Sequence, residues 1–318
     1  MNLPAKVIVA YTHNVSEPAI RVHKLPKPGE TVRAIGCNTG LDGGKGTNVA
    51  ISMARLGIPT ALVAHVKSGP WYTKAKQLLA EEHIDDTFVV CDADEKKSGG
   101  CVLIDDEGQN MIVLGSQNHQ VIQPEEIDRA LTAMKDARYC VTGYELNTDS
   151  VHHILEKARE FEIKTVLNPS PVPAWKPTDW DLVSLLVVNE TEARYMLTLA
   201  GASFDPNSWK ECMYKIREAY HCGDVVLTLG GDGFCCLEGD TVTRKHGIRV
   251  SATDTTGAGD GFLGAMVARL TVGDTLGDAC SWANQFSSIT VQRAGTISSY
   301  PTAEEVTALF PELAPMQQ

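Results

Sequence analysis

From about residue 60 onward the chain repeats one unit. A run of four to six mostly apolar residues is followed by a polar or glycine-bearing turn and then by a longer stretch with helical spacing. The apolar runs are Ala61–Ala64, Tyr139–Thr142, Lys164–Asn168, Leu185–Val188 and Asp224–Leu229. They are too short for helices and rich in β-branched residues, which reads as strand. The intervening segments Trp71–His83, His152–Phe161, Glu190–Thr198, Gly259–Thr271 and Leu276–Arg293 read as helices. An earlier strand at Lys6–Ala10 and a helix at Asn48–Leu56 extend the pattern to the N-terminus. Apolar strands alternating with helices predict an α/β fold: a mostly parallel central sheet with helices on both faces, joined by right-handed crossovers.

Two segments interrupt this rhythm. Thr12–Gly40 is polar and punctuated by Pro28-Gly29, and Gly99–Gly115 reads as a hairpin turning at Asp105-Asp106-Glu107-Gly108. Together, over about residues 12–40 and 99–115, they predict a small β-sheet lid. No long linker or low-complexity stretch divides the 318 residues, so residues 1–318 are expected to form one domain. The net charge of -12 and the lack of a basic run argue against a nucleic-acid partner. No stretch has the length of a membrane span or the layout of a secretory signal. The nine cysteines include no C-x-x-C spacing, and their odd number favours free thiols. A cytoplasmic location is expected, with no membrane partner.

The most informative string is Asp254-Thr255-Thr256-Gly257-Ala258-Gly259-Asp260-Gly261. Gly257 and Gly259 allow a tight backbone turn at a helix start, where consecutive N–H groups and the helix dipole attract an anion. An acid at that position, Asp260, can take a proton from an attacking hydroxyl while the amides of Gly257, Ala258 and Gly259 stabilise a transferring phosphoryl group. The competing reading is a capped helix start. A second string, Gly43-Gly44-Lys45-Gly46-Thr47-Asn48, lacks the spacing of a P-loop, because Thr39 stands where its first glycine belongs. It still allows close approach to a ligand, and Asn48 can donate to and accept from sugar hydroxyls. A third, Asn189-Glu190-Thr191-Glu192, follows a strand, where ligands bind in open α/β sheets. It reads either as a capping box or as groups that organise water around Mg²⁺. A fourth, Thr228-Leu229-Gly230-Gly231-Asp232-Gly233, offers amides and a hydroxyl to a nucleotide, or is a plain hairpin turn.

In this order the strings resemble the ribokinase-like (PfkB) carbohydrate kinases over nearly the whole chain. Gly43–Asn48 matches that family's G-G-K signature, Asp254–Asp260 its D-T-x-G-A-G-D signature, and Asn189–Glu192 its N-x-x-E. The resemblance implies ATP-dependent phosphorylation of a hydroxymethyl group, with D-ribose the first guess, and Asp260 as base. It implies a sugar site at Gly43, Gly44, Lys45, Asn48, Glu145 and Asp260. The nucleotide side would comprise Asn189, Thr228, Gly230, Gly233 and Asn284, with Glu192 holding Mg²⁺ through water. Asp254, Thr256 and Ser299 match the positions around a monovalent cation such as K⁺. A homodimer through the lid is also implied. One departure is plain: ribokinases carry N-x-D after the first strand, and here the segment is Thr12-His13-Asn14-Val15-Ser16-Glu17-Pro18. Asn14 and Glu17 are the groups available to substitute. The alternatives are a kinase for another pentose, a ketohexose, a nucleoside or a sugar phosphate, and a non-enzymatic sugar sensor, which would not need Asp260. A dehydrogenase is disfavoured, because no G-x-G-x-x-G follows the first strand.

Overall fold

A computed structural model describes residues 5–13, 19–38, 43–92, 101–113 and 121–311. The strands are β1 (Val7–Ala10), β2 (Ala19–Val22), β3 (Ala34–Asn38), β4 (Thr60–Lys67), β5 (Asp85–Asp92), β6 (Cys101–Ile104), β7 (Asn110–Val113), β8 (Tyr139–Gly143), β9 (Lys164–Asn168), β10 (Leu185–Asn189), β11 (Asp224–Thr228), β12 (Phe234–Glu238) and β13 (Thr241–Lys245). The helices are α1 (Gly44–Arg55), α2 (Pro70–Glu81), α3 (Pro124–Ala133), α4 (Thr148–Glu160), α5 (Glu190–Leu199), α6 (Trp209–Tyr220), α7 (Ala258–Val272), α8 (Leu276–Thr290) and α9 (Ala303–Leu309).

Nine strands form the central sheet in the order β13-β12-β11-β10-β9-β8-β1-β4-β5. The pairs from β11 through β5 are parallel, and β12 and β13 add an antiparallel edge. The inner strands are mostly apolar because helices cover both faces; all four residues of β1 are buried. From β1 the chain builds outward to β4 and β5, then returns to the other side of β1 to add β8, β9, β10 and β11 in turn. The junction of β1 and β8 is therefore a switch point, where the loops at the strands' carboxyl ends diverge and leave a crevice.

The two interrupting segments form a separate sheet in the order β3-β2-β6-β7. The hairpin expected at Gly99–Gly115 is present as β6 and β7, paired from Cys101↔Val113 to Ile104↔Asn110. β3 begins only at Ala34, because Glu30 is tied back to the Lys27 amide at 2.9 Å and to Lys24 Nζ at 3.2 Å. That leaves residues from Ala34 onward to pair with β2. Thr12 and His13, counted with the lid by the sequence reading, are buried at the carboxyl end of β1. The helix expected from Asn48 begins a turn earlier, at Gly44. β5, α3, α6 and the β12–β13 edge were not anticipated; β5, for example, exposes too much polar surface to read as a buried strand.

Candidate active site

The crevice at the switch point is lined by the first residues after β1 and β8. Tyr11, fully buried, points its hydroxyl at the carbonyls of Asn168 (3.5 Å), the last residue of β9, and Ser170 (3.3 Å), just past it. Thr12 donates its hydroxyl to Glu145 Oε2, and both residues are buried. His13 Nδ1 lies 2.6 Å from Thr47 Oγ1 on α1. Burial alone lowers the His13 pKa to about 4, so the ring is neutral at pH 7. Glu145, Asp260 and Glu192 all lie close enough to Tyr11 to add to the effect of its burial in raising the phenol pKa. A cluster of acids thus faces the crevice, with Lys45 as the cation that pulls both Asp260 and Glu192 downward.

Asp260 and Asn48 are brought together by helix packing. α1 and α7 cross so closely that a Cβ on Gly264 would stand 1.7 Å from Ser52 Oγ and 2.7 Å from the Val49 carbonyl oxygen. That approach puts Asn48 Nδ2 2.9 Å from Asp260 Oδ2. Asp260 keeps some access to solvent, yet protein encloses it on most sides. Enclosure raises its pKa, and Lys45 and the Asn48 amide oppose the rise. The Asn48 Oδ1 atom is buried and accepts no hydrogen bond, so the amide has an acceptor to offer a ligand.

α7 starts on Gly257 with φ of 74°, a left-handed turn that other residues enter only with strain. The position is also too tight for a side chain: a Cβ there would stand 2.0 Å from Thr296 Cγ2. Tyr300 holds the Gly257 carbonyl at 2.8 Å. The Ala258 amide donates to the Thr255 carbonyl at 3.2 Å, and the helix offers no acceptor to the amides of Gly259 and Asp260. Before this turn, Asp254 is 2% exposed; its Oδ1 accepts from the Thr256 amide at 3.0 Å and its Oδ2 from the Gly295 amide at 3.1 Å. Thr256 Oγ1 is buried without a hydrogen-bond partner, and Ser299 donates its hydroxyl to the Thr296 carbonyl at 2.6 Å, which leaves its oxygen able to accept.

The remaining candidates lie along the same carboxyl edge. Asn189 and Glu192 form the reciprocal capping box at the start of α5, at 2.9 and 3.0 Å. Thr228 stands opposite Asn189 on β11. Gly230 and Gly233 belong to the turn between β11 and β12, closed by the Leu229 amide on the Gly233 carbonyl at 2.8 Å. This turn backs onto the chain after β13, where Gly247 N would lie 2.5 Å from a Cβ on Gly233; Asn284 on α8 donates to the neighbouring His246 carbonyl at 3.0 Å. Gly43, Gly44 and Lys45 form the cap and first turn of α1, whose next turn carries Asn48. Glu145, Asn189 and Thr228 thus stand at the carboxyl ends of β8, β10 and β11, Asn48 meets Asp260, and Asn14 and Glu17 lie outside the described residues. Tyr11, Thr12, His13, Thr47 and Tyr300 were missed. Only proximity to the first strand's end could have drawn attention to the first three.

An acid hydrogen-bonded in a partly enclosed crevice, beside a helix N-terminus with first-turn amides, can deprotonate a hydroxyl while an anion is held next to it. Comparison with known proteins gives the family. The family described as pfkB family carbohydrate kinase matches residues 8–303. The chain is similar to ribokinase of Staphylococcus aureus, 30% identical over 302 residues that cover 95% of this chain and 98% of that protein. It is similar to ribokinase of Mus musculus, 31% identical over 293 residues and 90% of each chain. The crystal structure of ribokinase from Cryptococcus neoformans in complex with ADP superposes with a TM-score of 0.82 at 25% identity, covering 96% of this chain and 99% of that one. The match spans nearly the whole chain, and the chain belongs to the pfkB family of carbohydrate kinases.

Proposed function

We propose that this carbohydrate kinase transfers the γ-phosphoryl group of ATP to the hydroxymethyl oxygen of a small sugar, D-ribose first, with Asp260 as the general base. The observation that carries this reading is the Asn48–Asp260 hydrogen bond at 2.9 Å, which aims the carboxylate from α7 at the floor of the sugar crevice. The acceptor O–H gives its proton to Asp260 as the new O–P bond forms and the bond to the β-phosphate oxygen breaks, releasing ADP. Amides at the start of α7, those of Gly257, Gly259 and Asp260, stabilise the charge on the phosphoryl oxygens; the Ala258 amide, turned to Thr255, orders the turn. Gly43, Gly44, Lys45, Asn48 and Glu145 form the sugar side. Asn189, Thr228, Gly230, Gly233 and Asn284 form the nucleotide side.

Glu192 fits a role toward Mg²⁺. Its carboxylate is raised in pKa by burial and is held by the Asn189 amide, with lone pairs left for metal-bound water. Mg²⁺, when bound, neutralises phosphate oxygens. Asp254, Thr256 and Ser299 fit a monovalent cation, because a buried carboxylate, an unpartnered buried hydroxyl and an accepting hydroxyl meet beside the turn. Residues 1–318 act as one catalytic domain under this reading, in the cytoplasm. A second copy of the chain packs against the outer lid, where Ile35, Met111 and Val113 are 50, 42 and 52% exposed.

A second reading, a different sugar acceptor, is favoured by one observation: Thr12 occupies Glu145 Oε2, and neutral His13 stands near where ribokinases carry N-x-D. A phosphorylated acceptor would call on Arg21, Lys24 or Arg33, of which Arg21 and Lys24 are engaged with Asp254 and Glu30. The test is ATP turnover with Mg²⁺ and K⁺ against pentoses with and without a 2-hydroxyl, ketohexoses, nucleosides and sugar phosphates. Turnover best on ribose is expected. Turnover best on another acceptor moves specificity to the Thr12–Glu17 segment. Asp260→Asn is expected to lower turnover by roughly two to four decades, the usual scale for losing a general base. Near-normal turnover in that variant would sink the assignment.

A further inference from the structure

Two lid elements far apart in sequence converge on one short stretch ahead of α7. Arg21, on β2, sets a guanidinium nitrogen 3.6 Å from Asp254 Oδ2. The Gly108 carbonyl, in the turn between β6 and β7, accepts the Thr255 hydroxyl at 2.7 Å. Gly108 also backs onto that stretch so closely that a Cβ there would stand 3.3 Å from the Thr253 carbonyl oxygen. The two contacts coincide because β2 and β6 pair in parallel with Arg21 opposite Ile104, the last residue before the turn.

Asp254 is the group through which this arrangement can act. It is nearly fully buried, and the hydrogen bonds it accepts from the body of the protein come from the neutral amides of Thr256 and Gly295. Those bonds set the direction of the chain entering Gly257, and therefore of the amides that follow. A buried carboxylate is costly without a counter-charge; among the described side chains the cation paired with it is Arg21, on the lid, which acts beside the monovalent cation proposed for the same turn. Arg21 keeps 43% of its side-chain surface exposed, which allows it to leave with the lid.

We propose that Arg21 is a positioning residue for phosphoryl transfer. With the lid down, its guanidinium neutralises Asp254 and the Gly108 carbonyl holds Thr255, so the turn into α7 presents its amides in the geometry that transfer requires. With the lid raised, Asp254 loses this cation and the turn loosens. Completion of the anion hole thus depends on closure over an acceptor, which restrains transfer to water. The inference rests on the reading of the α7 amides as that anion hole.

The experiment is steady-state kinetics of Arg21→Ala and Arg21→Lys, with thermal unfolding of each, in the absence and presence of low-millimolar guanidinium chloride. Arg21→Ala should lower kcat by between about tenfold and about a hundredfold, the range produced by small misplacement of reacting groups. Added guanidinium should restore a large part of the loss, and Arg21→Lys should fall between Arg21→Ala and the parent. Thr255→Val, which removes the second lid contact but no charge, should lower kcat without responding to guanidinium. A parent-like kcat in Arg21→Ala, or a loss that tracks melting temperature and ignores guanidinium, would overturn the proposal. Asp260→Asn run alongside separates the two readings. If it retains turnover, the anion-hole reading fails and the Arg21 proposal falls with it. If it is inactive while Arg21→Ala is unchanged, only the Arg21 proposal falls.

Discussion

All four residues of β1 are buried, whereas Ala34 through Cys37 on β3 are all exposed. Both segments are β-strands, and the contrast follows from their sheets. β1 sits seventh of nine strands from the β13 edge and has helices on both faces, so each side chain it contributes is core. β3 is the edge of a four-stranded sheet. Across that smaller sheet the buried residues alternate: Val102 and Ile104 are buried while Cys101 and Leu103 are partly open. The central sheet supplies rigid positions for chemistry. The smaller sheet meets the base at polar contacts such as Arg21–Asp254 and Gly108–Thr255. Regions with few buried apolar contacts open at lower free energy than core strands.

The comparison breaks most readily in the central sheet. Leu62, fully buried on β4, should cost about 2–5 kcal/mol of global stability when changed to Ala, read as a fall in the denaturant midpoint. A loss below about 1 kcal/mol would mean that the central sheet is not the cooperative unit.

A smaller effect tests how dry the crevice is at the end of β1. His13 has its pKa lowered from 6.5 to about 4 by burial. The unfolded chain therefore binds a proton below about pH 6.5 that the folded chain refuses until about pH 4, so stability falls as pH drops through that window. The full effect is on the order of 3 kcal/mol. Thermal unfolding between pH 7 and pH 4 should show a steeper decline for the parent protein than for His13→Gln, which cannot take up the proton. Equal slopes would place His13 in a hydrated setting.

The smallest effect belongs to the lid. Met111→Thr, at a position 42% exposed on edge strand β7, should change stability by no more than about 0.5 kcal/mol. Sedimentation of the same variant reads the proposed contact between copies: a shift toward monomer supports a lid interface, and an unchanged mass removes Met111 from it.

Much of this molecule is legible locally. The helix starts at Asn189 and Gly257 are written in residue types whose caps and turns need only a few neighbours. β9 and β10 are recognisable because a strand buried on both faces carries a short apolar run at its centre. Asp260 and Glu192 are legible for the same reason, as acids in the first turn of a helix that follows a strand or a glycine turn. β5 escaped notice because an edge strand keeps polar residues. The true register of β3 escaped because pairing with β2, rather than local alternation, selects it.

What the sequence by itself determined is therefore the alternating α/β architecture, the lid segments and the two glycine-rich signatures, all of which depend on periodicity and backbone preference over a few residues. Only the tertiary structure decided which groups meet. Asn48 and Asp260 are 212 residues apart, and Thr12 and Glu145 are 133 apart. Arg21 reaches Asp254 only through the parallel pairing of β2 with β6. Such contacts form when strand order and helix crossing have been set by burial of the whole core, and no local pattern encodes the distance between two side chains brought together that way.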